Sequence, residues 1–166
     1  MEVKEVMIHG DYAAFWGGVF SNWYPCKFKT YGKTWNSSEQ FFMWLKAEYF
    51  DDEETALAIT KTMSASVAKQ LGREVKNFDE TKWQEVRYEK MYEAVYKKFA
   101  QNEELLQDLL SDEYKDKHFV EGSPVDTIWG IGIKWTKPII ADKNNWKGEN
   151  LLGQVLDEVR EKLKKE

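Results

Sequence analysis

The chain has 166 residues, 42% hydrophobic and 32% charged, with 24 basic against 29 acidic side chains and a net charge of −5. That length and balance fit one globular domain, 1–166, with its own core, and the acidic sum argues against a sequence-blind grip on nucleic acid, which needs a basic surface. No long charge-free apolar run marks a membrane span, and the opening "MEVKEVMIHG" alternates charged and apolar residues, unlike a signal peptide. A lone cysteine, Cys26, excludes an internal disulfide framework and fits a reducing, cytoplasmic setting. With His9 and His118 the only histidines, a Cys/His zinc site is not expected.

Residues 3–8 alternate as a strand does. The aromatic run "YAAFWGGVFSNWYP" is punctuated by Gly17-Gly18 and ends at Pro25. "CKFKTYGKTW" has the pattern of a hairpin turning at Tyr31-Gly32-Lys33. A helix over 38–50 follows, with Asn36, Ser37 or Ser38 placed to cap it. Asp51 and Asp52 lead into a second helix ending near Met63. "SASVAKQLG" makes a short third, with Gly72 as its C-cap. Asp79 caps a long fourth helix over 81–100, and Asn102 a fifth carrying Leu105, Leu106, Leu109 and Leu110. "KHFVEG" is a short strand, and "SPVDTIWGIGIKWTKP" carries turn and glycine signals without a helical period. Asn150 caps a last helix with Leu152, Val155, Leu156, Val159 and Leu163 on one stripe. Its closing lysines suit the negative C-terminal end of the helix dipole. The sum is an α+β, helix-rich single domain with a small β-sheet from the N-terminal third and the region after Lys117.

Three places carry charge or glycine that packing alone does not ask for. Helical neighbours lie three, four and seven apart, so Glu39, Met43 and Lys46 share one side of the first helix. Glu39 reads either as a capping-box residue reaching back to the Asn36 amide or as a carboxylate facing a pocket. Lys46 reads as a surface lysine with its stem along apolar neighbours, or as a cation for a ligand. In the fourth helix Trp83, Arg87, Met91 and Val95 recur at spacing four, which sets Arg87 on a mainly apolar stripe. There it needs a carboxylate such as Glu39 or an anionic ligand, because an unpaired buried charge is very costly. Trp83 is core or a stacking platform for a flat ring. In "DTIWGIG", 126–132, Gly130 and Gly132 let backbone approach a ligand closely. They form no dinucleotide fingerprint, since a third glycine and a clear helix start are missing. Asp126 is equally a turn-former after Pro124.

Taken in order, "FSNW" at 20–23, "GKTWNSSEQFF" with Lys46 beyond it, Gly72-Arg73, Trp83, "KKF" at 97–99, "VEGSPVDTIWGIG" at 120–132 and "GENLLGQVLDEVR" ending at Arg160 form one ordered set. The set resembles the NADAR family, the YbiA-like N-glycosidases, over about residues 20–160. The resemblance implies a YbiA-like fold and cleavage of N-glycosidic bonds between ribose and nitrogen. One branch of that family takes phosphorylated intermediates of riboflavin synthesis, and another removes ADP-ribose from guanine. The family's glutamate, helix tryptophan, loop Asp and Trp, and final asparagine fall on Glu39, Trp83, Asp126, Trp129 and Asn150. Of these, Glu39, Asp126 and Trp83 are the expected catalytic set. Lys46, Arg73 and Arg87 are cations suited to phosphate, and Asn22, Gly130, Gly132 and Asn150 join Trp129 as expected substrate contacts. The amides after Asn150, preceded by Gly148, offer a further phosphate cradle. Two departures stand out. Gln40, which cannot titrate, occupies a place where many members have histidine, and the loop 133–149 is longer than the compact bacterial form.

The chemistry implied needs no metal or cofactor. Positive charge grows on the sugar ring and negative charge on the departing base. A carboxylate stabilises the first and can orient or deprotonate water, and a proton donor or hydrogen bond assists the second. Glu39 and Asp126 share these roles in an order the sequence leaves open, and an apolar aromatic setting would raise a carboxyl pKa, which suits Glu39. The expected partner is a small ribosyl phosphate or ADP-ribosyl molecule. Nucleic acid enters only as an ADP-ribosylated substrate, and no membrane is involved. A non-catalytic ADP-ribose or nucleotide-binding module, and a purely structural tryptophan-rich domain, are the other readings of these residues.

Overall fold

The computed structural model describes residues 6–166. In chain order the strands and helices are β1 (Val6–His9), β2 (Tyr12–Phe15), β3 (Phe28–Thr30), β4 (Lys33–Trp35), α1 (Ser38–Tyr49), α2 (Glu53–Thr60), α3 (Ala65–Arg73), α4 (Glu80–Ala100), α5 (Glu103–Leu109), β5 (His118–Glu121) and α6 (Leu151–Lys164). Short 3-10 turns at Pro138–Ala141 and Lys143–Asn145 fill the approach to α6. The helix-rich α+β class read from the sequence is the observed one. No helix among the described residues is long and apolar enough to cross a membrane. Contacts divide the chain into two compact units, residues 22–103 and the remainder.

The 22–103 unit begins with the expected hairpin. Strands β3 and β4 pair antiparallel, Thr30 opposite Lys33, through Tyr31 at φ 55 and Gly32 at φ 70. Two successive positive φ values give the turn whose twist matches that of the strands. Helix α1 is aromatic around most of its circumference because it is buried on opposite sides. Phe41 and Trp44 pack on Trp35 of the hairpin, each at 5.1 Å between ring centroids, while Phe42 meets Trp83 of α4 at 5.4 Å. Its N-cap is Ser37, whose Oγ accepts the Gln40 N–H at 3.1 Å. The reach back to the Asn36 amide, expected of Glu39, is made by Gln40: its Oε1 accepts from Asn36 N at 2.7 Å. The Gln40 amide also donates to Ile59 O at 3.0 Å and Thr62 O at 2.8 Å, fastening α1 to the end of α2.

Gly72 does not cap α3. It lies inside that helix, buried, and the cap is Glu74. A Cβ at Gly72 would run into the Met43 sulfur, so the missing side chain serves the close packing of α3 on α1. Asn102 precedes α5, and its side-chain amide donates to Lys98 O at 2.8 Å and Lys27 O at 3.0 Å, tying down the end of α4.

In the other unit, β1 and β2 pair antiparallel and β5 joins β2 in parallel, giving the order β1-β2-β5. Of the strand expected at 3–8, residues 3–5 lie outside the described residues, and the described strand starts at Val6. Strand β2 lies inside the aromatic run, where no strand was expected, and a two-stranded and a three-stranded sheet replace the single sheet anticipated. Ala13, Ala14 and Phe15 of β2 are all buried, so the strand lacks the alternation that marks a half-buried one. Ala14 and Val120 share a cluster with Ile131, Ile133 and Ile140, while Phe20 and Phe119 pack at 4.7 Å. The apolar stripe of α6, from Leu152 to Leu163, is buried as its spacing predicts.

Candidate functional site

Within the 22–103 unit, the residues singled out on α1, α3 and α4 form one cluster. Glu39 stands in the first turn of α1, 7% exposed, and its backbone N–H donates to Asn22 O at 3.0 Å. Asn22 is itself buried and held on both sides. Its Oδ1 accepts from Ser38 Oγ at 2.9 Å, and its Nδ2 donates to Met91 Sδ at 3.3 Å. Asn22 therefore fixes the start of α1 against α4. Two turns along α1, the Lys46 ammonium lies 4.6 Å from the Phe78 ring centroid and 5.8 Å from that of Trp83. Burial pushes the Lys46 pKa below its ordinary value. The charges of Glu80 and Glu39 work against that shift, and Arg73 works with it. Lys46 is thus a half-buried cation within the field of Glu39 and not a purely surface lysine.

Helix α4 runs alongside with Trp83 beside the Lys46 end and Met91 beside the Asn22 end. Arg87 falls between them, its side chain 11% exposed and its Nη1 3.8 Å from Glu80 Oε1. Trp83 is 7% exposed and packed among Phe42, Tyr49 and Phe50, which is the core reading of that residue. Arg73 is exposed in the last turn of α3, next to the Gly72 that lets α3 approach Met43. The result is a strip with a buried carboxylate at one end and Lys46, Arg73 and Arg87 along it. Such a strip can hold an anion while presenting a carboxylate some 10 Å away along the helix, about seven residues at 1.5 Å each.

The other unit carries the loop residues. Asp126 Oδ1 accepts the backbone N–H groups of Ile128 and Trp129, each at 2.9 Å, while its own N–H donates to Ser123 Oγ at 3.0 Å. One of its oxygens is therefore committed to shaping the loop, and Trp129 sits half-buried on the turn so formed. A Cβ at Gly130 would lie 2.8 Å from Glu121 O and 3.1 Å from Glu121 Oε2, and Gly132 has φ +70. Close packing on β5 and a left-handed backbone thus account for these two glycines.

Asn150 occupies the N-cap position of α6, but its side chain does not cap. Its backbone is left-handed, φ 56 and ψ 43, and the side chain turns back to β5 instead. There Oδ1 accepts from Glu121 N at 3.0 Å and Nδ2 donates to Phe119 O at 3.1 Å. The phosphate cradle expected after Asn150 is taken up by protein. Leu151 N–H donates to Ile128 O and Leu152 N–H to Trp129 O, both at 3.1 Å. Gly148 allows this closure, since a Cβ there would collide with Gly130 O and the Thr127 backbone. Among the described residues, no three His, Cys, Asp or Glu side chains gather as a metal-binding group. Sequence reasoning did not single out Glu80, Phe78 or Trp23 beside these residues. Only Trp23, inside "FSNW", carried a signal, as the neighbour of Asn22.

A family model described as the NADAR domain matches residues 14–164. An N-glycosidase of Acanthamoeba polyphaga mimivirus is 38% identical over 148 residues, covering 86% of this chain and 86% of that protein. A riboflavin biosynthesis protein of Vibrio vulnificus (strain YJ016) is 32% identical over 146 residues, which are 88% of this chain and 35% of that longer protein. The NMR structure of the E. coli protein YbiA superposes with a TM-score of 0.76 at 30% identity, covering 99% of this chain and 94% of that one.

Proposed function

The chain belongs to the NADAR domain family, and from that membership we propose that it is an N-glycosidase that hydrolyses the ribosyl C–N bond of a phosphorylated nucleoside-like metabolite. The observation that carries this reading is the Glu39 strip. It combines a nearly buried carboxylate at a helix start with a half-buried lysine and two arginines within one compact unit. The mimivirus relative is named for N-glycosidase activity and the Vibrio relative for riboflavin biosynthesis, which supports the bond and the metabolite class respectively.

In this reading Glu39 takes a proton from water as the water oxygen adds to the anomeric carbon. The C–N bond breaks, its electron pair leaves with the base nitrogen, and that nitrogen receives the proton. Lys46, Arg73 and Arg87 hold the phosphate, the arginines through paired N–H donors. Asn22 positions Glu39 through the backbone. Asp126 spends one oxygen on shaping its own loop. No step runs through a metal. The test is release of free base from a ribosylaminopyrimidine 5′-phosphate with chelator present. Glu39→Gln should lower turnover about 100-fold or more while the melting temperature stays put. A chelator-sensitive wild type overturns the metal-free step, and a Glu39→Gln protein that unfolds points to a structural role instead. Cleavage of an ADP-ribosylated guanine oligonucleotide in preference to the ribosyl phosphate would reassign the substrate to the ADP-ribose branch.

A further inference from the structure

Of the four tryptophans in the 22–103 unit whose rings line or border α1 and α3, three are core: Trp35 is 0% exposed, Trp44 8% and Trp83 7%. Trp23 is different, at 46%. It follows Asn22 directly, and Asn22 is clamped by Glu39 N–H, Ser38 Oγ and Met91 Sδ, so the backbone that carries the indole is held beside the start of α1. The Lys69 ammonium lies 5.7 Å from the Trp23 ring centroid. Lys69 is one helical turn before Arg73 on α3, and Gly72 brings that helix against Met43, one turn after Glu39. Trp23, next in the chain to the Asn22 whose carbonyl accepts the Glu39 N–H, and the Lys69 ammonium over its ring therefore belong to the end of α1 that carries Glu39, two turns from Lys46.

We propose that Trp23 and Lys69 form the subsite for the departing base, an oxo- or amino-substituted nitrogen heterocycle, and so determine specificity in the reaction assigned to Glu39. The inference rests on that assignment. A flat ring stacks on Trp23 with more contact than a single ammonium makes there, so the ring displaces Lys69 from the indole face. The lysine then meets a ring carbonyl and lies close to the negative charge that develops as the C–N electron pair moves onto the base. Lys46, Arg73 and Arg87 keep the phosphate end, so the two ends of the substrate are read by different side chains.

Two N-ribosyl 5′-phosphates test this, one bearing a pyrimidine and one bearing a small non-aromatic amide. Trp23→Ala should raise KM for the pyrimidine substrate about 10-fold, in line with the worth of one stacked base, and leave the amide substrate within about twofold. Trp23→Phe should restore most of the difference, and Lys69→Met should lower kcat for the pyrimidine substrate more than for the amide. Equal losses on both substrates, or none, overturn the subsite. Calorimetric titration with the free pyrimidine base alone separates the two ideas. If the base binds wild type and not Trp23→Ala while no substrate turns over, the subsite stands and the glycosidase reading fails. If turnover is robust and base binding ignores Trp23, the reverse holds.

Discussion

Gln40→Ala puts the division of labour at the start of α1 to a direct test. Gln40 is 2% exposed and makes three hydrogen bonds with its side chain: from Asn36 N at 2.7 Å, to Ile59 O at 3.0 Å and to Thr62 O at 2.8 Å. A typical intramolecular hydrogen bond contributes about 0.5–1.5 kcal/mol net, and a buried group left without its partner costs more. Three lost bonds, two of them at the end of α2, therefore sum to about 3 kcal/mol, or roughly 6–12 °C in Tm for a chain of this size. Urea and thermal denaturation read that loss, and turnover well below the new Tm reads the other half of the argument. Gln40 points at backbone and not along the Glu39–Lys46 side, so kcat at low temperature should change less than about threefold (under 1 kcal/mol). A stability change below about 1 kcal/mol, the central value for a single hydrogen bond, would refute the bracing role. A collapse of kcat with stability intact would move Gln40 into the reaction.

Three further outcomes follow from other parts of the molecule. Lys98 is 1% exposed, and burial pushes its pKa down from the ordinary 10.5 to about 8, a drop worth on the order of 3 kcal/mol. Between those two values the unfolded chain holds a proton that the folded chain has lost, so this lysine's penalty is complete below pH 8 and fades as pH rises towards 10.5. Urea midpoints should therefore show the advantage of Lys98→Met over wild type shrinking across that window; an advantage independent of pH refutes the assignment. Gly148→Ala places a methyl group against Gly130 O and the Thr127 backbone, and should cost about 1–3 kcal/mol by overpacking, read by urea denaturation. Lys46→Met keeps the apolar stem over Phe78 and Trp83 but removes the charge, so it should raise KM for a phosphorylated substrate about 10-fold or more, as for loss of a charge-assisted hydrogen bond, and leave an unphosphorylated analogue unaffected.

Much of the fold was legible because local chemistry decided it. Tyr31-Gly32 demanded a positive-φ turn, Asp79 capped α4 through the Lys82 N–H, and the Leu152–Leu163 stripe fixed the buried face of α6. What escaped was decided by partners distant in sequence. Strand β2 hid because both its faces are covered, which erases the alternation that announces a strand. The amides opening α6 looked available for phosphate, but the loop carbonyls of Ile128 and Trp129, more than twenty residues earlier, accept them. Nothing local to Asn150 announces that its side chain serves β5, although asparagine is among the few residues that take the left-handed backbone found there.

The candidate site turns on a one-residue ambiguity. Asn36, Ser37 and Ser38 are all good N-caps, and a capping-box partner stands three places after whichever is used. Were Asn36 the cap, that partner would be Glu39, and the glutamate would be consumed in closing the helix. With Ser37 as the cap that third position is Gln40, whose Oε1 accepts the N–H of Asn36, one place before the cap. Glutamine in the third position takes over the bracing, and it can do what a carboxylate cannot, donating to Ile59 O and Thr62 O while accepting from Asn36 N. The glutamate is thereby left one position earlier, rotated by about 100° around the helix, on the side that Met43 and Lys46 share. A shift of the cap by a single residue would exchange the brace and the acid, so Ser37→Ala combined with a stronger cap at Asn36, such as Asn36→Asp, should lower turnover more than it lowers stability.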